Sequence, residues 1–247
     1  RVNDFVYNRF RDTFFNRFTH IHCPSNMIAE QLRRHGYTAQ LHVISNGISP
    51  EYTYGKREKE PWMQGFFNVL MVGRYAGEKR QDELIEACAK SRHAQEIQVI
   101  LAGKGPLEKK YRRLAEKLPN PIVMSFYEPA RLLEILHMAD LYVHTSDAEI
   151  EAMSCMEAFA CGLVPVIADS PRSATPQFAL DGRSLFPAGD TDALAERIDW
   201  WIEHPAERQE MERRYAEHAK QYSLAESIRR TEEMFRQAIA EQRGTRA

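Results

Sequence analysis

The sequence predicts an α/β protein built on a doubly wound parallel sheet, preceded by part of another domain. Three observations predict it. From Phe67 onward, short apolar runs alternate with longer amphipathic segments, the pitch expected of parallel strands joined by crossover helices. Those runs are apolar on both faces, as in a sheet covered on both sides. Glycines follow the first two runs, at Gly73 and Gly103, where an open parallel sheet presents its ligand-binding loops.

Taken in order, Val2–Phe18 carries Phe5, Val6, Phe10, Phe14 and Phe18 at mostly four-residue steps, which predicts one helix with an apolar stripe. His20–Cys23 reads as a strand, the segment from Pro24-Ser25 to near Gly36 as a helix, and Leu41–Ile44 as another strand. Asn46-Gly47 marks a turn. Residues 1–48 are therefore assigned to the end of a preceding domain. Residues 49–66 are polar and mixed in charge, with Pro50 and Pro61, and read as an interdomain linker. Residues 67–219 form the Rossmann-like sheet domain. Its expected strands are Phe67–Val72, Ile97–Ala102, Ile122–Phe126, Leu141–His144 and Val164–Ala168. Its expected helices are Gln81–Arg92, Leu107–Leu118, Arg131–Met138, Ile150–Cys161 (closed by Gly162), Asp192–Glu203 and a segment after Pro205 reaching Ala219. Residues 220–247 hold a last helix, Leu224–Gln242, expected to cross back to the preceding domain.

The bulk numbers exclude several classes. With 33 basic and 35 acidic residues the net charge is −2, so no global field draws the chain to nucleic acid. No apolar run approaches the roughly 20 residues of a membrane span. None of the four cysteines forms a Cys-x-x-Cys pair, and buried thiols in a reducing cytoplasm are the default reading. His20 and His22 alternate on a strand, but no carboxylate or third histidine lies nearby in sequence, so no metal is expected.

Chemistry concentrates in two places. Val72-Gly73-Arg74 ends the first strand of the sheet, and Glu78-Lys79 follows. Gly73 lets a ligand approach the backbone, and Arg74 and Lys79 would stabilise the charge that develops on a departing diphosphate. The plainer reading is two solvated surface cations. Ala102-Gly103-Lys104-Gly105-Pro106 lacks the third glycine of a dinucleotide fingerprint and the Gly-Lys-Ser/Thr of a triphosphate loop, and reads as a tight strand-to-helix turn. The second place is Ser146 to Ala158, where Glu149 and Glu157 stand eight residues apart. On a continuous helix that is a rise of about 12 Å. Free amides at the helix start would hold phosphate oxygens, and carboxylates accept pairs of sugar hydroxyls. An acidic first turn that satisfies the helix dipole explains Glu149 and Glu151 equally well. It explains Glu157, set among Met156, Ala158 and Phe159, poorly.

These motifs, in this order, resemble the retaining family 4 glycosyltransferases of the two-domain GT-B fold. VGR with EK nearby, AGKGP, the E-x7-E pair Glu149/Glu157 running into MEAFACGLVPVIA, and Asn46-Gly47-Ile48 at the crossing between domains carry the resemblance. The segment from Ala168 to Asp181, with Ser173 and Thr175, is similar to the branch that glucosylates diacylglycerol. The resemblance implies a nucleoside-diphosphate sugar donor, UDP-glucose by preference, and no cofactor or metal. It implies that Arg74 and Lys79 bind the diphosphate beside Gly73, and that Glu149 contacts the sugar and Glu157 the ribose. Backbone at Ser125, Phe126 and Tyr127 would hold the base, and amides of Met153, Ser154 and Cys155 the phosphates and sugar. Arg74, Lys79 and Glu149 are the candidate catalytic residues. This chain departs from the family in having Glu151-Ala152 where Phe-Gly is frequent, and Phe126-Tyr127 where a glycine is usual.

The implied activity is retaining transfer of a hexose to diacylglycerol or a related glycolipid, in the cytoplasm or peripherally at the membrane's cytoplasmic face. Arginines Arg1, Arg9, Arg11 and Arg17 among the N-terminal aromatics suit an interfacial helix, and core packing suits the same stripe. A polysaccharide or other glycan acceptor, a sugar-nucleotide epimerase and a non-catalytic nucleotide-sugar-binding domain are the alternatives. Family members carry a full N-terminal acceptor domain, so this chain alone is expected to turn over poorly.

Overall fold

The computed structural model describes residues 2–244; Arg1 and the last three residues of the expected tail lie outside them. The chain divides into two compact units. One comprises residues 1–47 and 222–247, the other residues 48–221.

In the first unit, α1 (Val2–Thr13) leads through a short 3-10 turn, Phe15–Arg17, to β1 (His20–Cys23). Then come α2 (Asn26–Arg34) and β2 (Gln40–Val43), which pairs in parallel with β1. Ser25 caps α2 by accepting the Ile28 amide at 3.4 Å. The last helix, α9 (Leu224–Gly244), belongs to this unit, and Arg230 donates to the Val43 carbonyl at 2.8 Å. Gly47 explains the close turn that precedes the second unit. It adopts φ +82°, and a Cβ there would lie 2.6 Å from the Leu224 backbone. The aromatic stripe of α1 has the expected spacing and stands exposed, with Phe5 at 72% and Phe10 at 58%. His20 and His22 do not act together: His20 contacts His42 and Glu241, each at 2.8 Å, while His22 contacts the Ile44 carbonyl.

The second unit is an α/β layer structure. Its strands are β3 (Phe67–Val72), β4 (Ile97–Ala102), β5 (Val123–Ser125), β6 (Leu141–His144), β7 (Pro165–Asp169) and β8 (Leu185–Pro187). They form one six-stranded sheet in the order β5-β4-β3-β6-β7-β8, with every pairing parallel. The winding starts at β3, runs outward to β5, then returns to β6 and runs the other way. The switch point therefore lies between β3 and β6, and loops leaving the carboxyl ends of these strands frame a crevice. The central strands are buried, β4 along its whole length. The helices are α3 (Gln81–Lys90), α4 (Glu108–Leu114), α5 (Pro129–Met138), α6 (Met153–Ala160), α7 (Thr191–Glu203) and α8 (Pro205–Ala219). On the far side of α6, Phe159 packs against Phe178 and Tyr215 at ring separations of 5.5 and 5.9 Å.

Three expectations change. Residues 49–66 belong to the second unit rather than spanning between units. Lys59 pairs with Asp140 at 2.6 Å, Arg131 with Glu60 at 2.6 Å, and Met63 is fully buried. Of the mixed charge that reads as a linker, Lys56, Arg57, Lys59 and Glu60 are committed to ion pairs within this unit. The strand β8 has no counterpart among the expected elements. Helix α6 starts at Met153, not Ile150, because Ala152 takes a left-handed conformation (φ +65°) that no helix continues through.

Candidate functional site

Three loops converge at the switch point: residues 73–80 after β3, 103–106 after β4 and 145–152 after β6. Their approach is close. A Cβ on Gly103 would lie 2.0 Å from the Gly73 carbonyl, and one on Gly105 would lie 2.5 Å from the Tyr75 carbonyl. The glycines of AGKGP thus serve backbone packing, which agrees with reading that segment as a tight turn. The β3 and β6 loops are also joined. Thr145 Oγ1 lies 2.8 Å from the carbonyls of both Lys79 and Arg80, and Asp147 N–H donates to the Glu78 carbonyl at 2.9 Å.

A cleft of about 500 Å³ opens along the β3 and β4 ends, lined by Gly73, Arg74, Lys104, Pro106, Phe126 and Tyr127 among others. Arg74 is exposed, and among the described residues its guanidinium has no acidic partner. Lys104 Nζ sits 4.0 Å from the Phe126 ring centroid, a cation–π contact on the cleft wall. Ser125 lies apart from this lining; its carbonyl accepts Gly103 N–H at 2.8 Å.

Lys79 runs its stem over Gly73, with Cδ 3.7 Å from where a Cβ on that glycine would stand. Its ammonium pairs with Glu149 Oε1. Glu149 is not the first residue of the helix. It precedes α6 and is fixed by a parallel bridge to Ser173 and by Ala174 N–H donating to its carbonyl at 3.0 Å. The helical rise expected between Glu149 and Glu157 therefore does not apply. Ser173 Oγ donates to Thr175 Oγ1 at 2.9 Å, and both side chains are buried, so these hydroxyls stiffen the loop that carries Glu149.

At the start of α6, the Met153 and Ser154 amides make no hydrogen bond among the described residues. Cys155 does not share this property: its N–H donates to the Ala152 carbonyl at 3.0 Å, which removes it from the expected phosphate-binding amides. Ser154 Oγ lies 3.3 Å from the Val72 carbonyl and 3.1 Å from Tyr142 Oη, anchoring the helix start to the end of β3.

The two glutamates have opposite electrostatics. Burial raises the Glu149 carboxyl, but the adjoining His144 ring and Lys79 ammonium more than offset it, and the group titrates at about 2. The Glu157 carboxylate, inside α6, makes no hydrogen bond or ion pair among the described residues, and burial followed by the charge of Glu51 pushes it up to about 7. Two site residues escape the sequence reading. His144, the last residue of β6, is 1% exposed and lies 3.3 Å from Glu149 Oε1; Tyr142 lies 3.4 Å from its other ring nitrogen. The one sequence signal for His144 is a titratable residue closing an otherwise apolar strand at its ligand-facing end.

Comparison with known proteins places this geometry. The profile of Glycosyl transferases group 1 matches residues 55–222, more than half of the chain. The chain belongs to this family. Residues 2–52 also match the profile of Glycosyltransferase Family 4. Among solved structures, the catalytic domain of cholesterol-alpha-glucosyltransferase from Helicobacter pylori is 49% identical. That match covers 64% of this chain and 99% of that one, with a TM-score of 0.62. The putative glycosyltransferase EpsD of Bacillus subtilis (strain 168) is 28% identical over 208 residues, covering 80% of this chain and 53% of that relative. The chain thus spans about half the length of that curated relative. Anabaena Alr3699/HepE, at 20% identity, shares the fold, with a TM-score of 0.80 over 96% of this chain and 67% of that chain. The α/β architecture and parallel sheet are those of a GT-B glycosyltransferase domain.

Proposed function

We infer that this chain supplies the nucleotide-sugar donor half of a retaining glucosyltransferase that acts on a membrane lipid. The observation that carries the reading is the meeting of Lys79, Glu149, the α6 start and the Arg74 cleft at one switch point. Its support is the 49% identity to a sterol α-glucosyltransferase. In this reading the base lies in the cleft by Phe126 and Tyr127. The diphosphate lies between Arg74, Lys79 and the Met153 and Ser154 amides. The glucose faces Glu149, and the ribose hydroxyls face Glu157. Arg74 and Lys79 supply the positive charge that the leaving diphosphate needs, preorganised and without proton transfer. A departing phosphate oxygen on the same face as the incoming lipid hydroxyl accepts its proton, which retains the anomeric configuration. An α-configured donor giving an α-glucoside, as the relative's name records, requires retention.

Acceptor binding falls to residues of an N-terminal domain, of which residues 1–47 form a part in this reading. A sterol is the acceptor of the 49% identical relative, and diacylglycerol is the acceptor expected from the 168–181 segment. Peripheral attachment suits either, and no helix among the described residues is long and apolar enough to cross a membrane. The test is glucose transfer from UDP-glucose to cholesterol or diacylglycerol in mixed micelles by the protein in its natural length, with product configuration read by NMR. An α-glucosyl lipid supports the proposal. A β-linked product, or transfer only to soluble glycans, contradicts it.

A further inference from the structure

The geometry points to His144 as the positioning residue that holds Glu149 for the donor sugar. This rests on the donor-site reading above and adds a residue to it. Glu149 is approached from two sides, by the Lys79 ammonium on Oε1 and by His144 Nε2 at 3.3 Å from the same oxygen. Nε2 is buried and makes no aligned hydrogen bond as it stands, so a polar atom that needs a partner already faces the carboxylate.

The proton inventory fixes its role. Ser154 Oγ donates to the Val72 carbonyl, which leaves its lone pairs to accept from Tyr142 Oη. Tyr142 Oη then has no proton left for the imidazole, and lies a long 3.4 Å from Nδ1. Burial lowers the ring's pKa and so favours the neutral form, which has one proton to place. An ionised carboxylate brings none, so the favourable tautomer carries hydrogen on Nε2 and directs it at Glu149.

The two contacts differ in what a donor does to them. A diphosphate competes directly for the Lys79 ammonium, because it offers more negative charge than one carboxylate. His144 is 1% exposed and stacked beside Tyr142, and it stays in place. Once Lys79 turns to the phosphates, His144 is the remaining side-chain contact on the Glu149 carboxylate among the described residues. It then sets which oxygen faces the sugar hydroxyls. The predicted consequence is selective: His144 governs the affinity contributed by glucose and leaves the affinity for UDP alone.

The test compares UDP with UDP-glucose binding by calorimetry for the wild type, His144→Asn and His144→Gln. The Asn amide reaches the Nδ1 position beside Tyr142, whereas the Gln amide reaches the Nε2 position beside Glu149. The expected result is unchanged UDP affinity in all three, with the extra affinity due to glucose reduced about tenfold in His144→Asn and largely restored in His144→Gln. If His144→Asn unfolds, His144→Leu, which likewise places no donor at the Nε2 position, replaces it. Absence of UDP binding by the wild type overturns the donor-site reading and this assignment with it. UDP binding that glucose does not strengthen in the wild type overturns the assignment alone. So does a glucose increment that His144→Asn leaves whole, or rescue by Asn rather than Gln.

Discussion

Glu149 and Glu157 share one motif, yet their surroundings push their carboxyls in opposite directions. Glu149 sits between a cation and an imidazole and stays ionised down to about pH 2. Glu157 lies one helix segment away without a cation, and its carboxyl titrates at about 7. The difference teaches that the motif is two devices. One is a permanently charged acceptor locked by its neighbours. The other is a carboxyl whose burial is uncompensated by protein and whose charge depends on pH.

The largest test of this contrast removes the lock. Lys79→Met is expected to slow glucosyl transfer on the order of 10²- to 10³-fold, the usual cost of losing one preorganised charge on a leaving group, measured as kcat with UDP-glucose. The same substitution leaves Glu149 charged and mostly buried beside a neutral ring. It is expected to lower unfolding free energy by about 2–4 kcal/mol in urea denaturation. Because the folded-state carboxyl of Glu149 is depressed, its stabilising contribution is present above about pH 4.5 and is lost as pH falls toward about 2. The wild-type and Lys79→Met stabilities should therefore converge in acid.

Glu157→Gln probes the other device and carries the opposite sign. A raised carboxyl binds its proton more tightly in the folded chain, so stability falls as pH rises from about 4.5 to about 7. The amide is expected to stabilise the chain by roughly 1–2 kcal/mol at pH 8 and by almost nothing at pH 4, as read from Tm at both values. Loss of the difference between the two pH values would show that Glu157 is not strained by burial. The smallest effect concerns the αL residue between the glutamates. Ala152→Gly relieves a conformation costing about 1 kcal/mol but adds unfolded-state entropy, so a Tm change of only a few degrees is expected. Ala152→Val should destabilise clearly more, since a branched side chain tolerates φ +65° poorly.

Much of this was legible in the sequence, for physical reasons that also explain the failures. Buried parallel strands are continuous apolar runs, so β3, β4 and β6 could be read within a residue. Strand β8 is three residues ending in Pro187 and carries no such run. The start of α6 is not legible, because apolar periodicity does not register a left-handed turn at Ala152. Arg74, Lys79 and Glu149 were legible because glycine, cations and carboxylates mark strand ends. The structure gathers Lys79 with Glu149, places Arg74 on the adjoining cleft, and withdraws the Cys155 amide. His144 stayed hidden because its contacts are tertiary: a histidine in an apolar strand reads as core until Glu149 is folded against it. Likewise Lys59, Glu60 and Arg131 carry the charges of a linker and become structural only once paired.

The central claim is a nucleotide-sugar donor site at the β3–β6 switch point, and direct titration tests it best. Calorimetry of the wild-type chain and Glu157→Ala with UDP, UDP-glucose and GDP-mannose, at pH 8 so that Glu157 is ionised, gives the decision. The account predicts saturable binding of the two uridine ligands by the wild type, weaker binding of GDP-mannose, and loss of uridine-ligand affinity in Glu157→Ala. Uridine binding untouched by Glu157→Ala, or no binding of any of the three by the folded wild-type chain, would contradict it.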